Sequence, residues 1–265
     1  MFDWWWAYLA VGAFVGFFAG LLGIGGGAAM VPVLALIFAA KQFAPAHAVH
    51  LALGTAMATM LFTSVSSVRA HHQHNAVNWM LVRRMAPGVV VGTFGGALLA
   101  SVLELRLLTI VFTVLIYYLS AQMLFGRKPQ PGTAPQTAVG AGATAAGIGA
   151  ISSLTATGGA ALFVAYMVKH GTRVHEAIGT AAAIGWPLAA AGTVGYLLTG
   201  WSETGLPEYS IGYVYLPALA GIVIASVLLA PVGARLAHRT PGPLLKKIFA
   251  AILFLLATKM LVSFF

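Results

Sequence analysis

Two glycine-rich interruptions lie inside apolar stretches at matching places in the two halves of the chain. The first runs from Gly20 to Pro32 and contains five glycines, and the second runs from Ser152 to Ala161. A glycine weakens helical backbone by roughly 1 kcal/mol relative to alanine, because it lacks a Cβ and has more conformational freedom to lose. Both interruptions therefore predict helices that stop and restart within an apolar environment.

Composition indicates that this environment is a lipid bilayer. Of the 265 residues, 60% are hydrophobic and only 7% are charged, whereas a soluble domain carries about 25% charged residues. Several apolar runs exceed the ~20 residues that a helix needs to cross a bilayer. The sequence thus predicts an all-α polytopic membrane protein. Its formal charge of +9 lies mostly in short loops, so it indicates membrane topology rather than nucleic-acid binding.

Five hydrophobic segments are predicted in each half of the chain. Their bounds are 4–23, 27–40, 46–68, 79–102 and 105–125 in the first half, and 137–152, 158–168, 174–198, 213–236 and 244–264 in the second. Six of eight residues are identical between Val49–Ala56 and Val174–Ala181, so we infer a duplication. The predicted units are a first repeat at 1–126, a cytoplasmic linker at 127–136 and a second repeat at 137–265.

Charge in matching loops predicts that the two repeats are inverted. The loop after the third segment carries Arg69, Arg83 and Arg84 in the first half, whereas its counterpart carries Glu203 and Glu208 and no Lys or Arg. Placing the basic loop in the cytoplasm puts eleven Lys and Arg residues inside and three outside, in agreement with the positive-inside rule. We expect a multi-pass protein of a bacterial inner membrane with both termini in the periplasm.

Inversion requires an odd number of crossings in each repeat, so the first two segments of each repeat must enter and leave on one face. The segment at 158–168 would be ~16 Å long as a helix, about half of a ~30 Å bilayer core. We therefore predict that each pair forms a helical hairpin, broken at its glycines near the midplane. Two full spans per pair, giving ten crossings, predict the same topology and stay open as an alternative.

Helices that restart after a break have unpaired backbone amides and the positive end of a helix dipole, which together favour anions. We predict an anion site between the two breaks. Its residues are small ones that let backbone approach a ligand and hydroxyls that donate to it: Gly25, Gly26, Gly27, Ser153, Thr155, Thr157, Gly158 and Gly159, with Thr55 and Thr180 about nine residues (~13 Å) into their segments. The alternatives are glycines that only permit helix packing and hydroxyls that bond to their own helix.

Histidines are the candidate proton-exchanging groups. His50 and His175 are equivalent in the repeat, and near-neutral titration would let them gate a vestibule or exchange protons; an interfacial or interhelical hydrogen bond is the alternative. We expect His71, His72 and His74 to form a solvated interfacial cluster in a basic loop rather than a metal site. No Asp or Glu lies deep in a predicted span, which argues against a cation site. No cofactor is expected, and without a convincing Ser–His pair we expect no catalytic site.

The glycine-rich hairpin, the repeated Val-His-x-Ala-x-Gly-Thr-Ala and the stretch from Pro217 to Val262 resemble the TauE/SafE family of sulfite exporters. The resemblance covers nearly the whole chain and implies transport of sulfite, sulfoacetate, thiosulfate or a related sulfur anion. The second break is more polar than the first, so the two half-sites are unequal, which suits an asymmetric substrate such as a sulfonate-carboxylate.

The predicted function is that of a secondary transporter that exports a small sulfur-containing anion, such as sulfite, sulfoacetate or a similar organosulfonate, by alternating access. Its expected partners are this anion, the lipid bilayer and protons as a candidate coupling ion. An anion channel of the same architecture is one alternative, and a membrane accessory subunit that transports nothing is another. Which anion is carried, in which direction, and in which oligomeric state stay open at this point.

Overall fold

The computed structural model of the protein describes residues 4–22, 27–125, 137–237 and 242–264. These residues form ten α-helices and one short β-hairpin. The elements are α1 (Trp5–Leu22), α2 (Gly27–Ala40), α3 (Pro45–Gln73), α4 (Trp79–Val102), α5 (Leu105–Phe125), α6 (Ala138–Thr155), α7 (Ala160–Lys169), α8 (Val174–Thr199), β1 (Ser210–Ile211), β2 (Val214–Tyr215), α9 (Leu216–Ala237) and α10 (Gly242–Phe264). The predicted all-α polytopic class is confirmed, since α3, α4, α5, α8 and most of α10 are long and apolar enough to cross a membrane.

The helices follow the predicted segments closely, with two differences. α3 continues to Gln73, because polar residues beyond the apolar run are still compatible with a helix; His71 and His72 therefore lie in the last turn of α3 and not in a loop. α9 begins at Leu216, since the preceding residues form the β-hairpin, with Ser210 paired to Tyr215. A two-residue strand carries no periodicity that sequence analysis can detect.

α3 is the central helix of the bundle. Every residue from Ala48 to Met60 is buried, which is typical of a helix that is apolar all round and enclosed by others. α2, α8 and α9 pack against it. The helices of the two breaks, α2 and α7, are short, about 21 Å and 15 Å at 1.5 Å per residue for their 14 and 10 residues. Neither is long enough to cross a ~30 Å hydrocarbon core.

Helix pairing corresponds between the two halves of the chain. α1, the first helix of the first half, packs along α9, the fourth helix of the second half, and α6 packs in the same way along α4. α3 packs on α8, and α5 packs on α10, so equivalent helices also contact each other. Each half thus depends on the other for its packing. The inverted orientation of the two halves in the membrane, and the division at 127–136, stay predictions.

Small residues bring these crossed pairs together. A Cβ on Gly12 or Gly16 of α1 would collide with the backbone of α9, and a Cβ on Gly88 or Gly92 of α4 would collide with the backbone of α6. In both cases the glycines are four residues apart and therefore share one helix face. This is the small-xxx-small contact by which membrane helices approach closely, where dispersion rather than hydrophobic burial holds them together.

Candidate functional site

The second break is a sharp, fully described reversal between α6 and α7. α6 ends at Thr155, and three of the next four residues have positive φ: Ala156 (50°), Gly158 (69°) and Gly159 (64°). Glycine adopts this region freely, whereas alanine adopts it at some cost. Such strain is often found at functional sites, where the surrounding fold enforces it. The reversal lets α7 restart with its first amides pointing into the break.

The start of α2 and the second break border one small, partly open cavity. α2 begins at Gly27, and the Ala156 carbonyl lies so close to Gly27 that a Cβ there would collide with it. Ala28 of α2 lines the same cavity, of about 40 Å³, as Thr157 and Gly159 of the second break. The first turns of α2 and α7 therefore border a common space. Gly25 and Gly26, also predicted to line it, lie outside the described residues.

Buried hydroxyls surround the second break. Ser152, Ser153, Thr155 and Thr157 are all buried. Thr155 Oγ1 donates to the Ile151 carbonyl at 3.0 Å and lies 3.0 Å from Thr157 Oγ1. Within the part of the chain that the structure describes, the Oγ atoms of Ser152 and Ser153 have no hydrogen-bond partner. A buried hydroxyl without a partner costs about 1–3 kcal/mol. Ser153 packs against α4, since a Cβ on Gly96 would lie 3.0 Å from Ser153 Cβ.

Ser152 is the hydroxyl best placed toward the break. A Cβ built on Gly159 would lie 2.7 Å from Ser152 Oγ, so this oxygen faces the residue that precedes α7. The rest of the cavity wall comes from α5 and α10, and among the described side chains that line it, Gln122 supplies the one amide. No carboxylate is among the described side chains that line it. Two helix N-termini, free hydroxyls and no negative charge make an arrangement suited to a small anion.

Thr55 and its neighbour Gly54 hold the start of a helix from the other half. Thr55 Oγ1 accepts the backbone N–H of Tyr215, the residue before α9, at 3.0 Å. Gly54 faces the Tyr213 carbonyl so closely that a Cβ would collide with it. We call this contact the Gly-Thr clasp of α3.

The Gly-Thr clasp of α8 is its counterpart. Thr180 Oγ1 accepts the backbone N–H of Asn78, the residue before α4, at 2.9 Å, and Gly179 faces the Ala76 carbonyl. Asn78 also donates through Nδ2 to Glu176 of α8. The repeated Gly-Thr therefore has a visible structural use, which sequence reasoning missed. Thr180 also lies six residues (~9 Å) after the start of α8 at Val174, and not about nine residues as predicted. That either threonine contacts substrate stays a prediction. Because Oγ1 already accepts a backbone hydrogen bond in each case, such a contact would use the hydroxyl proton.

The equivalent histidines have different surroundings. His50 is buried, its Nε2 lies 2.9 Å from the Ala100 carbonyl, and its ring stacks on Tyr213 with centroids 5.1 Å apart. Burial, with a contribution from Glu203, raises the pKa of Tyr213 to about 12, so its phenol stays protonated. His175 is exposed at the start of α8. Among the described residues, His50 makes an interhelical hydrogen bond and His175 makes none.

The other histidines are at the surface. His72 and His74 are exposed, and His71 is partly exposed. Among the residues that the structure describes, no three His, Asp or Glu side chains are grouped so that they could hold a metal ion.

Lys41 is a notable residue that the sequence analysis did not single out. It follows α2, and its Nζ donates to the hydroxyls of Tyr8 at 3.3 Å and Tyr215 at 3.1 Å. The same Nζ lies 5.0–5.6 Å from the ring centroids of Tyr8, Phe43 and Tyr215. We call Tyr8, Phe43 and Tyr215 the Lys41 cage. These aromatic residues are far apart in sequence, so no local pattern predicts that they surround one lysine. It fixes the far end of α2 against α1 and the start of α9.

Broken helices whose first turns face one cavity are the arrangement by which many membrane transporters bind a solute, and two relatives carry names of that class. A "Probable membrane transporter protein" of Haemophilus influenzae is 34% identical over 253 residues, which are 95% of this chain and 96% of that protein. The probable membrane transporter protein YdhB of Bacillus subtilis is 26% identical over 88% of this chain and 90% of its own length. The protein is a multi-pass membrane transporter.

The family follows from a match over nearly the whole chain. The family described as "Sulfite exporter TauE/SafE" matches residues 8–260. The chain belongs to the TauE/SafE family. No solved structure matches it.

Proposed function

We propose that the protein is a secondary transporter that exports a small sulfur-containing anion, such as sulfite, sulfoacetate or a similar organosulfonate, across a bacterial inner membrane. The anion binds where the two helix breaks meet, and the two repeats move against each other around it. The family name supplies the sulfur chemistry, whereas the charge preference rests on the chain's own residues.

One observation carries the proposal: the first turns of α2 and α7 border one small, partly open and mostly apolar pocket, whose lining has no carboxylate among the described side chains. An anion there would be stabilised by amides that have no helical partner and by both helix dipoles. Ser152, whose hydroxyl lies beside Gly159, would gain the hydrogen bond it lacks. A cation would meet only the carbonyls and hydroxyl oxygens of the break.

The size of the cavity favours a compact substrate in this conformation. Its volume of about 40 Å³ corresponds to about three water-sized groups, at roughly 10–15 Å³ each. Sulfite, with four heavy atoms, is close to this size. Sulfoacetate is larger and requires the breaks to separate, as happens when a transporter opens to one side.

Proton linkage, where present, acts through His50. The groups that face His50 are His47, Tyr213 and Glu203, and Nδ1 also lies 3.3 Å from the Ala46 carbonyl. Because both ring nitrogens face carbonyl oxygens, gain of a proton strengthens its hold on α4, and loss of it weakens that hold. His175 is exposed and has no such connection to a second helix.

The testing experiment is efflux of sulfite and of sulfoacetate from proteoliposomes that contain the purified full chain. We expect saturable efflux that is accelerated by unlabelled anion on the opposite side. The variant Ser152→Ala should raise KM several-fold, because it removes a hydroxyl directed at the break. The matched control is Ser66→Ala, since Ser66 is exposed and its hydroxyl bonds to its own helix at 2.8 Å.

Three results would contradict the proposal. Flux that does not saturate and ignores anion on the opposite side would indicate a channel. No flux from folded protein would favour an accessory subunit. Equal KM values for Ser152→Ala and Ser66→Ala would place the substrate elsewhere in the bundle.

A further inference from the structure

A groove of about 570 Å³ lies between the last turns of α3, the first turn of α4 and the middle of α8. It shares no lining residue with the cavity at the helix breaks. Most of its wall is apolar, formed by Val65, Val68, Val82, Ala183, Trp186 and Pro187. The polar contributors are Arg69, His72 and Trp79. The groove therefore has a large apolar part and a small polar part.

The polar part is cationic. Arg69 and His72 are three residues apart on α3, so their side chains share one helix face. Trp79 Nε1 donates to His72 Nδ1 at 3.3 Å, with ring centroids 5.6 Å apart. Since Nδ1 accepts this bond, the neutral ring carries its proton on Nε2, which is a second donor beside the guanidinium. No carboxylate is among the described side chains that line the groove, so its charge is complementary to an anion.

The apolar part is open at the surface of the bundle. Val65 is 53% exposed, Trp79 44% and Trp186 47%. These residues lie on α3, α4 and α8, which are helices long and apolar enough to cross a membrane, so their exposed apolar faces are suited to lipid. A small hydrophilic anion such as the transported substrate gains nothing from such walls. A molecule with both an anionic group and an acyl chain matches both parts.

We propose that this groove binds an anionic phospholipid, with its phosphate beside Arg69 and His72 and an acyl chain against Trp186 and Pro187. Arginine is suited to this role because its planar guanidinium can donate two parallel hydrogen bonds to phosphate oxygens. Basic pockets between membrane helices recognise anionic headgroups in this manner, and tryptophan favours the headgroup level. The lipid would bridge α3, α4 and α8. The proposal is independent of which substrate is carried.

Fluorescence quenching by brominated lipids tests it directly. The full chain, with its four tryptophans other than Trp79 and Trp186 replaced by phenylalanine, is reconstituted in phosphatidylcholine bilayers. A low fraction of phosphatidylglycerol with brominated acyl chains is compared with the same fraction of brominated phosphatidylcholine. We expect the anionic lipid to quench several-fold more strongly, because it concentrates in the groove.

Substitutions identify the cause of the preference. Arg69→Gln should reduce quenching by phosphatidylglycerol to the phosphatidylcholine level, whereas Arg69→Lys, which retains the charge, should keep part of the preference. The matched control is Arg84→Gln, since Arg84 is an exposed cation of α4 outside the groove, and it should keep the full preference.

Three outcomes would overturn the proposal. The first is equal quenching by the two lipids in the parent protein. The second is a preference that survives Arg69→Gln or is lost equally in Arg84→Gln. The third is relief of the preferential quenching by excess inorganic phosphate, which would indicate a site for a free anion rather than for a lipid.

Discussion

Replacing Thr55 with valine should destabilise the protein, although the two side chains have nearly the same shape. Thr55 is fully buried, and its Oγ1 accepts the backbone N–H of Tyr215 at 3.0 Å. Valine leaves this N–H without its partner, and a buried donor that is unsatisfied costs about 1–3 kcal/mol. A loss of 2 kcal/mol would lower the Tm by roughly 4–8 °C for a chain of this size.

The control is Thr59→Val, on the same helix and equally buried. The Thr59 hydroxyl donates at 2.9 Å to the carbonyl of Thr55, within its own helix. That carbonyl is positioned to accept a helical hydrogen bond as well, so losing the hydroxyl costs less. Thermal unfolding of both variants in one detergent, followed by tryptophan fluorescence, gives the comparison.

The two roles available to Thr55 give different results. Loss of the Gly-Thr clasp of α3 predicts a Tm well below that of Thr59→Val. Equal Tm values for the two variants would refute this reasoning. A raised KM for efflux in Thr55→Val, with a Tm like that of the control, would instead support the predicted contact with substrate.

Three further predictions concern the breaks, the histidines and the lysine cage. Gly27→Ala should abolish efflux, because its Cβ would collide with the Ala156 carbonyl of the second break. Gly95→Ala is the control and should leave efflux unchanged, since no atom lies within 4 Å of its added Cβ. Equal efflux by both variants would contradict the proposed meeting of the breaks. His50→Gln should remove the acceleration of efflux by an imposed pH gradient, because His50 is buried and bonded to a second helix. His175→Gln should keep that acceleration, since His175 is exposed. The opposite pattern would assign proton linkage to His175 of α8. Lys41→Met should lower the free energy of unfolding by about 2 kcal/mol through loss of cation–π contacts. Lys41→Arg, which keeps the charge, should retain most of the stability. An unchanged free energy of unfolding in Lys41→Met would show that the aromatic residues around Lys41 contribute no stability through it.

The unpartnered serines distinguish the two breaks. Ser152 and Ser153 belong to the break that the sequence shows to be more polar, and the structure finds their hydroxyls buried without partners among the described residues. The sequence analysis selected Ser153 but omitted Ser152. Both serines precede the glycines at similar spacing, so sequence position alone does not separate them. Only the backbone conformation at Gly159 reveals that Ser152 Oγ is directed toward the start of α7.

The sequence by itself determined the class of protein, the ends of most described helices and the location of the second break. These properties depend on local quantities: the length of an apolar run, the charge of a loop and the presence of glycine. The segment predicted at 79–102 matches α4 residue for residue. Repetition of Val-His-x-Ala-x-Gly-Thr-Ala also indicated that Thr55 and Thr180 share one role.

What that role is depends on tertiary structure. Thr55 meets Tyr215 and Thr180 meets Asn78 across 160 and 102 residues of sequence, and such partners are chosen by how α9 and α4 pack on the other half. The same holds for the Lys41 cage and for the groove at Arg69. An apolar sequence predicts that a helix is buried but not which of its faces packs against which neighbour, because many faces of a membrane helix are equally apolar. Only the close approach of small residues selects which faces meet, and with them which polar groups become neighbours.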